Sequence, residues 1–150
     1  MFGYWRNVII EVWVARADLT LIAEVDSLIE SVCRVHPKVS VVCLVVEQIP
    51  MPTPEARTTM QRMTARFSKQ MVGTSILLGS SGFWASAVLG LLTSMQAVQR
   101  HLRMKTFTSM DELVAWTVKN HNAECDQPID AEDLQRVLSL ALERLEKPRS

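Results

Sequence analysis

The stretch Val72-Gly73-Thr74-Ser75-Ile76-Leu77-Leu78-Gly79-Ser80-Ser81-Gly82-Phe83 decides the fold. An apolar, β-like run enters two serines flanked by glycines and continues into a helix-length apolar run, Phe83 to Val98. No Asp, Glu, Lys or Arg occurs between Gln70 and Gln99. A strand, a tight turn and a helix without a charged face make half of a parallel crossover unit, buried on both sides of its sheet.

The flanking segments repeat that unit. Val8 to Ala15 is rich in β-branched residues and reads as a strand. Thr20 to Val35 places Leu21, Ile22, Val25, Leu28, Ile29 and Val32 on one helical face, and Pro37 ends it. Val39 to Val46 is almost wholly apolar, the pattern of a central parallel strand. Thr53-Pro54-Glu55 supplies a capping oxygen, a first-turn proline and an acid at the positive end of the helix dipole. Ala56, Met60, Met63, Phe67 and Met71 form the stripe of that helix. Met104 to Phe107 reads as a short edge strand. Ser109-Met110-Asp111-Glu112 is a capping box. After a polar stretch, Asp130 opens a last helix with Leu134, Val137, Leu138, Ala141 and Leu145 on one side.

The expected fold is α/β, with about four core strands, mainly parallel, and an appended C-terminal helix. Residues 1–119 form the domain, 120–128 a linker and 129–150 a helical extension. A chain of 150 residues can bury such a core unaided. Hydrophobic residues make up 48% and charged ones 21%, which excludes a disordered or fibrous chain.

Lys+Arg and Asp+Glu both number 16, so no global charge draws the chain to nucleic acid or membrane. The charge is uneven, however. Arg57, Arg62, Arg66, Lys69, Arg100, Arg103 and Lys105 face a single acid, Glu55, between Pro54 and Lys105. Acids dominate from Asp111 onward. Ordinary solvated faces explain this, as does a basic surface for an anionic partner or for the acidic tail of another copy.

Cys33, Cys43 and Cys125 lack metal-ligand spacing, and an odd count without C-x-x-C fits a reduced, cytoplasmic setting. Met1 to Arg6 has no signal-peptide pattern. The uncharged stretch is long enough to raise a transmembrane span. It is broken by Gly79-Ser80-Ser81-Gly82, and its longer half carries Ser86, Gly90, Thr93, Ser94 and Gln96, so no span is expected.

The order of elements and its punctuation resemble the STAS domain, the fold of bacterial anti-sigma-factor antagonists and sulphate-transporter tails. Asn7-Val8-Ile9-Ile10-Glu11-Val12-Trp13-Val14, running to Leu19-Thr20, is similar to that family's first core strand and turn. Val41 to Val46, a loop and the capped helix at Thr53 are similar to its second strand and regulatory helix. Phe107-Thr108-Ser109-Met110-Asp111-Glu112-Leu113 resembles its closing strand and helix start. Gly79-Ser80-Ser81-Gly82-Phe83 resembles the turn of small stand-alone bacterial members without an assigned activity. The likeness covers residues 7–119 and leaves the tail unexplained.

The resemblance implies a regulatory protein working through protein contacts. Phosphoswitching members carry an Asp-Ser-Ser/Thr-Gly-like turn at the start of the second helix. Here the place reads Pro52-Thr53-Pro54-Glu55, so Thr53 alone stands for the modified hydroxyl. The Asp and Gly are absent, which favours Thr53 as a plain cap.

Catalytic constellations are missing from the sequence. His36, His101 and His121 lie in separate segments without ligand partners, so neither a metal nor a cofactor is expected. There is no G-x-S-x-G elbow. Ser80, Ser81 and Gly82 at a helix start form a candidate anion turn, but without a phosphate-loop pattern. Ser-rich alternation with aromatics is absent, which gives base stacking little support, so nucleic acid is not expected as a partner. On the apolar helix, Ser86, Gly90, Thr93, Ser94 and Ala97 are small residues in line, a candidate face for self-association. Either the C-terminal helix or a second copy is expected to cover it.

Two functions follow. The first is a non-enzymatic regulatory or scaffolding module that self-associates and binds a protein partner. The alternative is a carrier of a small apolar ligand or lipid, suggested by the Met-rich helix beside the apolar one. An enzyme without recognisable motifs has the least support.

Overall fold

In a computed structural model, which describes residues 1–46, 48–79, 82–98 and 102–146, ten elements alternate along the chain. They are β1 (Phe2–Trp5), β2 (Val8–Trp13), α1 (Leu19–Val35), β3 (Val39–Val45), α2 (Pro54–Phe67), β4 (Met71–Leu78), α3 (Phe83–Val98), β5 (Met104–Phe107), α4 (Met110–Glu124) and α5 (Ala131–Glu146). The strands form one sheet in the order β1-β2-β3-β4-β5. β1 is antiparallel to β2, and all other pairs are parallel.

The fold is therefore α/β with a C-terminal helix, and the sheet has one strand more than expected. β1 was not legible because it is short, contains Gly3 and lacks β-branched residues. It is added by a tight turn in which Arg6 adopts φ 54°, a left-handed conformation rare for a long side chain. The Arg6 guanidinium lies over the Trp5 ring and donates to the Pro128 carbonyl at 3.1 Å, which holds the turn.

Helix starts follow the capping chemistry. Thr53 Oγ1 accepts from Ala56 N at 3.2 Å, with Pro54 at the first helical position. Asp18 caps α1 by accepting from Leu21 N at 2.9 Å. α2 ends at Phe67, so Met71 is not on its stripe but opens β4. At the exit of β4, a Cβ on Gly79 would stand 2.6 Å from the Val46 carbonyl oxygen, so only glycine lets the ends of β3 and β4 approach.

Parallel strands laid down in sequence order, each joined by a right-handed crossover, place their connecting helices on one face. α1, α2 and α3 accordingly share a core with Ile9, Trp13, Val41, Val45 and Ile76. The other face presents Val8, Ile10, Val12, Val42 and Leu44, and it is covered by α4 and α5 through Leu113, Leu134 and Leu138. α5 is thus an integral cover of the sheet. α4 continues past Asn120 to Glu124, into the stretch read as a linker, which leaves a shorter connection to α5. Because α5 occupies the far face of the sheet, it does not cover α3.

Candidate functional site

The register of the sheet builds rows of side chains on the face shared with α1, α2 and α3. Glu11 is paired with Cys43 and Cys43 with Ile76. One step toward the carboxyl ends, Trp13 is paired with Val45 and Val45 with Leu78. Above Trp13, Cys43, Val45 and Ile76 lies an apolar cleft of about 100 Å³. It lies at the carboxyl ends of the parallel strands, where open α/β sheets receive ligands.

α3 forms one wall with Trp84 and Val88, and the loop after β3 forms the opposite rim with Pro50 and Met51, beside Met60 of α2. The Trp84 indole N–H donates to the Ile49 carbonyl at 2.7 Å, tying the first turn of α3 to that loop. The two prolines of the loop limit its freedom.

One acid stands a row behind the floor, beside Cys43 and outside the residues that line the cleft. Glu11 is buried, and its Oε2 accepts from the Trp13 indole N–H at 3.0 Å. Burial pushes its carboxyl up to about 7, and the indole bond opposes that shift. No ion pair neutralises it among the described residues. Burial, and then the charge of Glu11, push the Cys43 thiol well above its usual range, against the Trp13 N–H. Cys43 therefore stays a protonated thiol, a poor nucleophile.

A second polar group lies on the opposite face, at the amino ends of the strands. Ser40 Oγ is 2.8 Å from His121 Nδ1, and His121 Nε2 is 3.0 Å from the Gln127 carbonyl. A carbonyl only accepts, so Nε2 carries the proton and Nδ1 accepts from Ser40. Both residues are fully enclosed, with no opening to a substrate. Beside them the Asn122 amide both donates to and accepts from the Ile129 backbone. The group fastens the connection between α4 and α5.

The residues singled out from the sequence do not meet. Thr53 is exposed with its hydroxyl occupied as a cap. Ser86, Gly90, Thr93, Ser94 and Ala97 are all exposed on the outer face of α3. The hydroxyls of Ser86, Thr93 and Ser94 turn back to the carbonyls of Gly82, Leu89 and Leu91. A Cβ on Gly90 would meet nothing within 4 Å. Of the candidate anion turn, Gly82 is exposed with φ 90°, while Ser80 and Ser81 lie outside the described residues. His101 and Arg100 also lie outside them. The basic segment is partly neutralised within the chain, Arg66 by Asp26 at 2.7 Å and Arg103 by Glu124 at 2.5 Å.

Sequence reading missed Glu11 as a site residue, although one carboxylate inside the run Val8 to Trp13 was a signal in itself. Among the described residues no group of His, Cys, Asp and Glu could hold a metal ion. No helix among them is long and apolar enough to cross a membrane. No family model matches the chain, and no curated protein or solved structure is significantly similar to it.

Proposed function

We propose that the protein is a non-catalytic binding module whose cleft takes the apolar group of a small ligand. The observation that carries this reading is the apolar cleft between Trp13 and Trp84 at the carboxyl ends of the strands. An apolar cavity of about 150 Å³ holds benzene. This smaller one suits a branched alkyl group or the end of a longer chain. The chemistry beside it favours binding over reaction, because the Cys43 thiol stays protonated and the Ser40–His121 pair is enclosed. Native mass spectrometry of the purified protein, with titration of its indole N–H signals by 3-methylbutanol, tests the reading. Retained ligand mass, or shifts at Trp13 and Trp84, is expected. A clean apo-protein whose Trp13 and Trp84 signals stay fixed overturns it.

A second reading, the regulatory module that the STAS resemblance implies, draws support from the outer face of α3. That face is charge-free, α5 leaves it open, and Leu89 is exposed on it beside Gly90. Self-association through this face would cover it.

A further inference from the structure

We propose that the ligand of the cleft is a small alkylammonium ion, whose charged head pairs with Glu11 while its alkyl group fills the space between Trp13 and Trp84. The inference rests on the reading of the cleft as a ligand site and adds the chemical class of the ligand.

Glu11 alternates onto the same face of β2 as Ile9 and Trp13, and it shares a row with Cys43 and Ile76, which line the cleft. Two cleft-lining groups reach it directly: the Trp13 indole by a hydrogen bond, and the Cys43 thiol by the charge it feels. Among the described residues Glu11 accepts a hydrogen bond from the Trp13 indole and has no countercharge, and a buried carboxylate so placed is costly to the fold. It is accounted for if a cation arrives from the cleft.

The surroundings fit a cation with an apolar body. Indole faces attract ammonium groups through the ring quadrupole. Thioethers and prolines at the rim accept alkyl groups but offer no competing charge. A neutral ligand would use the apolar walls and leave Glu11 without a countercharge.

The charged and titratable groups around Glu11 are few. β1 places Phe2 opposite it, and the Met1 amino group donates to the neighbouring Val12 carbonyl at 2.8 Å. β3 contributes Cys43, held protonated. α1 turns Ile22, Val25, Ile29 and Val32 to the sheet, and α3 carries no charged residue. Ammonium binding therefore follows the ionisation of Glu11, strengthening as pH rises through about 7.

The test compares 3-methylbutylamine with 3-methylbutanol, read from the indole N–H signals of Trp13 and Trp84 between pH about 5.5 and about 8.5. At the alkaline end the amine should bind about tenfold more tightly than the alcohol, as a charge-assisted contact does. That preference should shrink toward the acidic end. Glu11→Gln should abolish the preference while keeping alcohol binding. Equal binding of amine and alcohol at every pH, or a preference retained in Glu11→Gln, overturns the proposal and leaves the cleft an apolar site. If neither compound moves either indole signal, the ligand site itself falls. Should Glu11→Gln fail to fold, the pH profile of the unaltered protein decides.

Discussion

Ser40 on β3 and His121 near the end of α4, far apart in the chain, meet at 2.8 Å inside the core. Burial lowers the proton affinity of His121, against the favourable bond to the Gln127 carbonyl. Its folded pKa lies below the ordinary value of about 6.5, so the unfolded chain binds more protons below that pH. The His121 contribution to stability is present above about 6.5 and is lost as pH falls toward the folded value. Denaturant titrations at pH about 7.5 and about 5.5 should show the loss, and His121→Gln should flatten it. An unchanged pH dependence in the variant would remove His121 from the account.

Glu11 acts with the opposite sign. Its pKa is raised from 4.5 to about 7, so its relative stability is fully present below about 4.5 and is lost as pH rises through 7. Glu11→Gln retains an acceptor for the Trp13 indole and removes the charge. It should stabilise the protein above pH 8 by up to roughly 3 kcal/mol, and change little near pH 4.5. Equal effects at both pH values in thermal unfolding would contradict a carboxyl that ionises on alkalisation.

Thr53→Ala should cost about 0.5–2 kcal/mol in urea unfolding, through loss of the Ala56 N–H partner. Thr53→Asp should be tolerated, because a carboxylate also caps. An Asp variant as unstable as the Ala variant would refute the cap. An Asp variant of full stability that has lost contact with a protein partner would point to modification at this hydroxyl.

Leu138→Ala should destabilise the fold by about 2–5 kcal/mol, since its side chain is fully buried between α5 and the sheet. Leu140→Ala, at a side chain 50% exposed on the same helix, should fall within about 0.5 kcal/mol of the parent. Equal losses at the two sites would mean that α5 docks through another face.

Gly90 tests self-association. A Cβ there meets nothing in the chain, so Gly90→Ala should raise monomer stability by up to ~1 kcal/mol through helix propensity. Gly90→Leu should separate a dimer closely packed on that face, seen as a fall in molar mass by light scattering. A parent protein that is monomeric at micromolar concentration would end the self-association reading.

Local chemistry made much of the fold legible. α3 spans Phe83–Val98 and β5 spans Met104–Phe107, both as their apolar patterning indicates, because period and turn chemistry act within a few residues. Thr53 and Ser109 cap helices because their hydroxyls meet N–H groups three positions on. β1 escaped because its four residues carry no such pattern and gain their order from pairing with β2. α4 runs past Asn120 to Glu124, and Asn120 and Asn122 spend their polarity within the chain, on the Trp116 and Ile129 carbonyls.

The candidate site belongs to the other side of that division. The sequence by itself determined that Val8 to Trp13 is a strand with an acid in it, that Cys43 lies in an apolar strand, and that Trp84 opens an uncharged helix. Only the tertiary structure decided that Cys43 pairs with Glu11 across the strands and that Trp84 lines one cleft with Trp13 and Cys43. Which residues meet across strands depends on register, and a slip of one position would send Glu11 to the opposite face, toward α4 and α5. Register is fixed by the packing of the whole sheet between its two helical layers, which no local spacing encodes.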